Sequence, residues 1–343
     1  MIIGSKSYTK ETIRHYVGDL SQIAGARVSR LTDGKADGVK TIEVNTGSGL
    51  VFTILPDRCM DIAWATFNGQ SLTHITKSGI VSSKYYDSNG NAWFRSYFAG
   101  LLTTCGLRNT GAACVDKGEA FGLHGRIGNT PAEKVAINEY WEKDDYYIEI
   151  TGYIREAVFY GEHLELKRTI KVKVGEPKIM VHDEVTNLGY KEEPLFLLYH
   201  TNYGFPLISD KTTLELDTIE VDCYDEAATA GINDYKRFQV PTKGYIRQVF
   251  LHKLRKTKDG QSRVAILNDD LVGFRGVTLT YSADTLPEFF EFKMMDFTDY
   301  QLGLEPSNCL PMGRQQEREQ NRIKLIKPNE TIHYALEYAI VLE

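Results

Sequence analysis

Apolar and polar residues alternate along much of the chain, with the period of two that is typical of β-strands. In HLELKRTIKVKV, residues 163 to 174, the apolar residues occupy even positions: Leu164, Leu166, Ile170, Val172 and Val174. Because successive side chains of a strand point to opposite faces, this pattern predicts a strand with one buried face. A GEP turn and a second alternating run, KIMVHDEVTNLG, follow directly. The two runs therefore predict a hairpin.

Similar runs elsewhere predict further strands at KTIEV, LVFTIL, YYIEITGYI, TLELDTIEVD, FFEFKMM and IHYALEYAIVL. Asn68-Gly69 lies between alternating flanks, and this dipeptide favours a type I′ hairpin turn because both of its residues adopt positive φ. Helical signals are few, the main one being KETIRHYVGDL near the N-terminus. Residues 226–262 are mixed and charged, and we expect loops there. The pattern predicts an all-β sandwich or barrel with few short helices.

No Pro/Gly/Ser-rich linker, change of composition or fixed-period repeat divides the 343 residues. Large β-sandwiches reach this length as one unit. We therefore expect a single domain over residues 1–343, with residues 1–20 as an N-terminal extension and residues 21–343 as the β-sandwich.

Composition and charge narrow the classes of function. Hydrophobic residues make up 42% of the chain, which is enough for a sizeable core. The net charge of −6 disfavours nucleic acid as a partner, since phosphate binding needs clustered Lys and Arg. No nucleotide-binding glycine motif is found. Five scattered cysteines without a Cys-x-x-Cys pair fit a reducing compartment, and no long apolar run predicts a membrane span, so we expect a cytoplasmic protein.

Three side chains lie where polar chemistry is unexpected. His200 ends the apolar run LFLLYH, at a position where a buried strand normally gives way to a turn residue. His124 lies among the glycines of GLHGRIGNTP, where the backbone can approach a ligand closely. Glu305 follows Leu-Gly-Leu and precedes a proline. A carboxylate that is partly removed from water has a raised pKa, which makes it a usable base near neutral pH.

Five stretches, in order along the chain, resemble the aldose 1-epimerase (galactose mutarotase) superfamily. They are LPDRCMDIAWATFNGQSL, FRSYFAGLLTTCGLRNTGAAC, GLHGRIGNTPAE, HLELKRTIKVKVGEPKIMVHDEVTNLGYKEEPLFLLYHTNYGFPL and GLEPSN. The resemblance extends from about residue 20 to the C-terminus, and it is to a bacterial branch known as aldose 1-epimerase-like or as a domain of unknown function. It implies a galactose mutarotase-like β-supersandwich with an open polar face as the active site.

The resemblance also implies residue roles. His124 and His200 are similar to the two active-site histidines of the family, and Glu305 is similar to its catalytic glutamate. Anomers interconvert when the C1 hydroxyl loses a proton while the ring oxygen gains one, so one base and one acid suffice. We expect Glu305 to be the base, His200 the acid and His124 a group that binds or polarises the sugar. No cofactor is expected.

Arginines in the matching stretches are candidates for binding the substrate. Arg58, Arg95 and Arg126 could each bind sugar hydroxyls or, bidentately, a carboxylate or phosphate. The alternative is that they pair with nearby carboxylates. Arg126 occupies a glycine position of the better-known galactose mutarotases, which makes an acidic or phosphorylated sugar more plausible.

Three further residues are predicted to bind substrate because they flank the same stretches. Asn202 and Asn308 follow His200 and Glu305 closely. Lys293 alternates with Phe292 and Met294, which places it on the open face if those two residues belong to the core.

Three readings remain open at this stage. The first is an aldose 1-epimerase, with a small-molecule sugar as its partner and an undetermined oligomeric state. The second is a non-catalytic sugar-binding or sugar-sensing protein on the same fold. The third is a metal-dependent protein in which His124, His200 and Glu305 hold zinc or iron.

Overall fold

The computed structural model describes residues 1–4 and 6–343, and most of its regular structure is β-strand. The strands form an eight-stranded, a six-stranded and a five-stranded sheet, together with three two-stranded ribbons. All pairs within the sheets are antiparallel. The predicted all-β class with few short helices is confirmed.

The strands are β1 (Ile2–Ile3), β2 (Lys6–Ser7), β3 (Gly25–Arg30), β4 (Lys40–Asn45), β5 (Leu50–Leu55), β6 (Asp61–Phe67), β7 (Gln70–Ser71), β8 (Thr103–Leu107), β9 (Cys114–Asp116), β10 (Glu119–Phe121), β11 (Glu133–Glu142), β12 (Asp145–Ala157), β13 (His163–Lys173), β14 (Lys178–Asn187), β15 (Glu193–Pro194), β16 (Phe196–Gly204), β17 (Thr212–Leu216), β18 (Thr218–Cys223), β19 (Gln248–Leu254), β20 (Gln261–Asn268), β21 (Gly276–Ser282), β22 (Glu288–Met295), β23 (Tyr300–Ser307), β24 (Leu325–Ile326) and β25 (Thr331–Val341). The α-helices are α1 (Lys10–Ile13), α2 (Glu226–Gly231) and α3 (Arg314–Glu319). Short 3-10 turns cover Leu20–Gln22, Gly34–Ala36, Ser83–Tyr85, Ala92–Arg95, Ile127–Asn129 and Ile232–Asp234. None of the helices in the described part of the chain is long and apolar enough to cross a membrane.

The eight-stranded sheet has the order β11-β12-β13-β14-β25-β21-β20-β17. Its β13–β14 pair is the predicted hairpin, and the apolar positions of both strands are buried as the alternation indicated. The predicted Asn68-Gly69 turn is also present between β6 and β7, with φ of 48° and 80° at its two residues. Both elements are confirmed. They could be predicted because their sequence signals depend on local backbone geometry.

The six-stranded sheet, β18-β19-β22-β23-β16-β8, carries the unusual polar residues of the sequence. β16 lies between β23 and β8, and every residue of it is buried. One face of β16 therefore packs against the main core, and the side chains of the opposite face are also covered by other parts of the protein. Because β16 is a central strand that is buried on both faces, its sequence is nearly continuously apolar up to His200.

Three sequence expectations differ from the structure. The run TLELDTIEVD is divided between β17 of the eight-stranded sheet and β18 of the six-stranded sheet. The segment 226–262, expected to be loops, contains β19, which pairs with β18 and β22 inside the sheet. The N-terminal helix has four residues and ends at Ile13. In each case contacts that are distant in sequence decided the outcome, and the local pattern did not contain them.

The main hydrophobic core takes residues from all three large sheets, including Ile42, Ile170 and Leu304. Met1 and Ile13 from the N-terminal segment also belong to it. The division into an extension and a β-sandwich domain stays a prediction.

A buried polar network joins the three sheets behind the strands of the six-stranded sheet. Arg168 on β13 donates to Asp183 on β14 at 2.7 and 2.9 Å, to Asp61 on β6 at 2.8 Å and to Thr104 on β8 at 2.8 Å. Tyr199 on β16 donates to the same Asp183 carboxylate at 2.7 Å. Since the side chains of Arg168, Asp61 and Asp183 have no solvent exposure, their charges are compensated entirely within the network.

We predict that Arg168→Met lowers the free energy of unfolding by about 3–5 kcal/mol, because it leaves two buried carboxylates without their cation. Urea unfolding followed by circular dichroism measures this change. Arg155→Met is the matched control, since Arg155 on β12 forms an exposed ion pair with Glu133. It should cost about 0–1 kcal/mol. Equal losses in the two variants would contradict the account of the network.

Candidate functional site

His200 and Glu305 come from neighbouring strands and face the same side of the six-stranded sheet. β16 and β23 pair in a register that sets Thr201 against Leu304, so His200 lies directly across from Glu305. On the other side of β23, Phe290 of β22 is the partner of Glu305. Strand geometry thus fixes the relative position of the two polar groups, which are 105 positions apart in sequence.

The two side chains contact each other in a setting that excludes most solvent. Nε2 of His200 lies 3.2 Å from Oε1 of Glu305, and each side chain is 7% exposed. The contact lacks the geometry of a hydrogen bond, and Oε1 accepts none from residues 1–4 or 6–343. A buried carboxylate oxygen normally has a donor. Its free lone pairs therefore mark a place where a ligand can donate.

Burial displaces the pKa values of both groups in opposite directions, because it disfavours the charged form of each. It raises the pKa of the Glu305 carboxyl to about 8. Burial and, to a smaller extent, the neighbouring His124 lower the pKa of His200 to about 3. Over the neutral range the pair consequently holds one proton, which resides on the carboxyl group.

A glycine makes room for this contact. Gly303 lies two residues before Glu305 on the same face of β23. A Cβ atom at this position would lie 2.7 Å from Oε1 of Glu305 and 3.3 Å from Cε1 of His200. Any larger residue would displace the carboxylate, so the position of Glu305 beside His200 depends on the missing side chain.

His124 reaches the same site from a loop that is held by backbone hydrogen bonds. Its carbonyl accepts from Gly106 N at 3.0 Å, and its own N–H donates to Gly111 O at 2.9 Å. Gly111 N also donates to Nδ1 of the ring at 3.3 Å. Burial lowers the pKa of His124 to about 4, so the ring is neutral near pH 7. With Nδ1 accepting, its hydrogen is on Nε2 and is available to a ligand.

The three side chains line a cleft with a volume of about 600 Å³. Aromatic residues form much of its wall: Trp93, Phe94, Tyr97, Tyr224 and Phe292. Trp93 stacks on Tyr97 with ring centroids 4.4 Å apart. Polar residues form its other end: His74, Thr76, Lys77, Ser78, Asp299 and Gln301. A cleft with apolar walls and a few placed polar groups is typical of a small-molecule site.

Asn202 lies on the same face of β16 as His200 and is fully buried. Its Oδ1 accepts from the Tyr97 hydroxyl at 2.7 Å, and its Nδ2 donates to the carbonyl of His200 at 2.9 Å. Both polar ends of the amide are therefore occupied within the protein. Asn202 lies beside the predicted location, but its contacts position Tyr97 and β16.

Two other predicted ligands are structural residues outside the cleft. The buried guanidinium of Arg58 donates to three carbonyls, those of Gly128, Val81 and Ser96, at 2.6–3.0 Å. Asn308 bonds to the backbone of β16 and the residue before it. Neither residue is among those that line the cleft, and their substrate-binding role stays a prediction without support from this geometry.

The remaining predicted ligands also lie away from the cleft. Lys293 faces the opposite side of β22 and donates to the carbonyl of Asp234 at 2.9 Å. The prediction assumed that its neighbours Phe292 and Met294 belong to the core, but both of them line the cleft. Arg126 is exposed, with Nε 3.8 Å from Glu156. Arg95 lines a separate hollow beside the cleft, with Lys35 and Lys77.

Several cleft residues were missed at the sequence level. Trp93 and Tyr97 lie close to Arg95 in the sequence, and only Arg95 was predicted to bind substrate, because of its charge. Gln301 has the same parity as Glu305 on one strand, so alternation alone places both on one face. Lys77 and Asp299 are 222 positions apart in sequence and form an ion pair of 2.7 Å, which no local pattern indicates.

His124, His200 and Glu305 do not form the metal centre that was considered. In the described part of the chain, no three His, Cys, Asp or Glu side chains are grouped so that they could hold a metal ion. Nδ1 of His124 is taken by Gly111 N, and the rings of His124 and His200 are 6.0 Å apart in an edge-to-face arrangement.

Comparison with known proteins adds the family and the fold. Residues 36–340 match the family described as a domain of unknown function, DUF4432. No curated protein matches the chain. A candidate aldose 1-epimerase from Klebsiella pneumoniae has a similar structure, with a TM-score of 0.87 and 23% identity over 93% of this chain and 83% of that one.

Two more distant structures have the same architecture. A galactose mutarotase-like protein from Clostridium acetobutylicum has a TM-score of 0.63 at 14% identity, covering 94% of this chain and 100% of that one. A galactose 1-epimerase from Lactobacillus acidophilus has a TM-score of 0.59 at 9% identity, covering 93% and 99%. The galactose mutarotase-like β-sandwich predicted from the sequence is thereby confirmed.

We predict that Glu305→Gln stabilises the fold increasingly as the pH rises. The folded state holds the Glu305 proton up to about pH 8, while the ordinary carboxyl pKa is 4.5. Between these values the folded state binds more protons than the unfolded state, so this carboxyl lowers the free energy of unfolding as the pH rises. The neutral amide removes that effect, which is on the order of 3 kcal/mol.

Urea unfolding of the wild type and the variant at pH 5 and pH 9 measures the difference. Glu142→Gln is the control, because Glu142 is exposed on β11 and its variant should show no such trend. A stability difference for Glu305→Gln that is the same at both pH values would contradict a raised carboxyl pKa.

Proposed function

The chain belongs to the DUF4432 family, and we propose that it is an aldose 1-epimerase that interconverts the α and β anomers of an aldose. The observation that carries the proposal is the contact between His200 and Glu305 on the floor of the cleft. An acid and a base side by side, and a carboxyl oxygen free to accept from a ligand, are what this reaction needs. The fold of the candidate aldose 1-epimerase from Klebsiella pneumoniae supports it.

The reaction is a pair of proton transfers. The base removes the proton of the anomeric hydroxyl and the acid protonates the ring oxygen, so the C1–O5 bond breaks and C1 becomes an aldehyde. Rotation about C1–C2 then presents the other face of the carbonyl. Ring closure reverses both transfers and yields the other anomer. Protons balance without any further reactant.

Glu305 is the base and His200 is the acid in this scheme. The reactive form of the pair, a carboxylate and an imidazolium 3.2 Å apart, holds the same number of protons as its neutral form. The anomeric hydroxyl, which donates to the free Oε1, stabilises the carboxylate as it enters. Their roles reverse on ring closure. Each positioned proton transfer contributes about 10²–10⁴-fold to the rate.

The rest of the cleft orients the sugar. Nε2–H of His124 is a donor beside the reacting end. Trp93 and Phe292 provide apolar surfaces for the C–H faces of a sugar ring. Because His200 and Glu305 project from central strands, their positions depend on the sheet and not on a flexible loop.

We predict that His200→Ala and Glu305→Gln each lower the rate of anomer interconversion by about 10²–10⁴-fold. Polarimetry of a freshly dissolved α-anomer measures the rate above that of buffer alone. His182→Ala and Glu142→Gln are the controls, since both residues are exposed on the eight-stranded sheet. Circular dichroism confirms that the variants are folded. A near-wild-type rate in either site variant would remove that residue from the mechanism.

The pH profile provides a separate test. The pair is active with one proton, whichever group holds it, and it loses that proton at about pH 8. We therefore predict that kcat/KM is level between pH 5 and pH 7 and falls above about pH 8. Initial rates on one sugar across this range, corrected for the reaction in buffer, measure it. A rate that climbs continuously from pH 6 to pH 9 would contradict a singly protonated pair.

A further inference from the structure

Four positions along β23 and the turn before it define the long axis of the cleft. Glu305, Gly303 and Gln301 have the same parity on the strand, and Asp299 lies in the turn before it. Gln301 and Glu305 are about 13 Å apart along the strand, from its rise of about 3.3 Å per residue. Gly303 lies between them, and the Glu305 carboxylate and the His200 ring occupy the space over it. Gln301 and Glu305 line the same cleft, so a sugar that has its anomeric carbon at Glu305 and lies along the strand extends toward Gln301.

Gln301 has an unused hydrogen-bonding group at this far end. Its side chain is 6% exposed and lines the cleft. Its Oε1 is buried and accepts no hydrogen bond from residues 1–4 or 6–343, because the neighbouring Tyr97 hydroxyl donates to Asn202 instead. A buried amide oxygen without a donor is unfavourable unless a ligand supplies one. A sugar hydroxyl has the required chemistry.

The groups around Gln301 are polar and already balanced in charge. Gly204 is its partner on β16, and the backbone of His74 packs closely over that glycine. Lys77 and Asp299 form their 2.7 Å ion pair at the same end of the cleft. Such a pair offers both donors and acceptors to hydroxyl groups, which can bind without displacing either charge.

The charges lining the cleft favour a neutral ligand. In the described part of the chain, the cleft is lined by two cations, Lys77 and Arg247, and each binds a carboxylate. Nη1 of Arg247 lies 3.1 Å from Oδ2 of Asp225. A phosphate or carboxylate on the sugar would have to displace one of these partners. Arg126, the residue that favoured an acidic sugar, pairs with Glu156 outside the cleft.

From these observations we infer that the cleft takes a neutral aldopyranose, and that Gln301 with the Lys77–Asp299 pair recognises the hydroxyl groups remote from the anomeric carbon. The inference deepens the proposed function and rests on it for the orientation of the sugar. It makes Gln301 a specificity-determining residue that binds substrate and takes no part in proton transfer.

Gln301→Leu tests this assignment, because leucine has a similar size and forms no hydrogen bond. With a neutral aldohexose we expect KM to rise about 10-fold while kcat changes little, since the lost contact is equal in ground and transition states. With the 4-deoxy and 6-deoxy analogues, one of the two should show the same KM in wild type and variant. Gln261→Leu, at an exposed strand position outside the cleft, is the control.

Hexose 6-phosphate and hexuronate substrates test the charge. We expect wild-type kcat/KM for both to be lower than for the neutral parent sugar. The hollow lined by Lys35, Lys77 and Arg95 adjoins the cleft. A higher kcat/KM for either anionic sugar, lost in Arg95→Ala, would assign the far end of the substrate to that hollow and overturn the inference.

Ligand-observed NMR separates this inference from the proposed function. Binding of the neutral sugar is measured in Glu305→Gln with and without Gln301→Leu, where turnover plays no part. Weaker binding in the double variant supports the inference even if the wild type does not accelerate anomer exchange. Equal binding, or an unchanged KM in Gln301→Leu, overturns it while the epimerase proposal stands. Absence of both binding and acceleration overturns both.

Discussion

Arg168 has no access to solvent, and Asp61 and Asp183, which are equally buried, compensate its charge. The network that these residues form with Thr104 and Tyr199 contacts the eight-stranded and five-stranded sheets and the strands β8 and β16 of the third. Such an arrangement tolerates little movement, because a displaced partner leaves a buried charge uncompensated. It holds β16 from behind at Tyr199, and the next residue along, His200, faces the cleft.

The chemistry of the site follows from that constraint. A strand that is buried on both faces can present an ionisable side chain only at the expense of solvation, and both His200 and Glu305 respond by favouring their neutral forms. Their opposite displacements leave one mobile proton between them at neutral pH. The same burial that makes two isolated charges unfavourable thus keeps both groups neutral and side by side until a ligand enters. Gly303 leaves room for the Glu305 carboxylate beside the His200 ring.

Individual residues show how much of the site could be predicted from the sequence alone. His124, His200 and Glu305, predicted as catalytic residues because each broke a local pattern, all line the cleft, and their catalytic roles stay a prediction. The alternation of β22 was also read correctly, but it could not tell which face was open, and Lys293 was placed on the wrong side. Arg58 was preferred for its charge, whereas three carbonyls in distant loops bind it. Pairings such as Lys77 with Asp299 depend on the complete fold.

The central claim is that the buried pair of His200 and Glu305 catalyses anomer exchange. Exchange spectroscopy on a 1-¹³C-labelled neutral aldose at anomeric equilibrium measures this most directly, because it detects interconversion without net conversion. The account predicts cross-peaks between the α and β signals that grow in proportion to the concentration of the wild-type protein and disappear with Glu305→Gln. Line broadening that reports bound sugar, without cross-peaks above those in buffer, would contradict it and would indicate a protein that binds the sugar without acting on it.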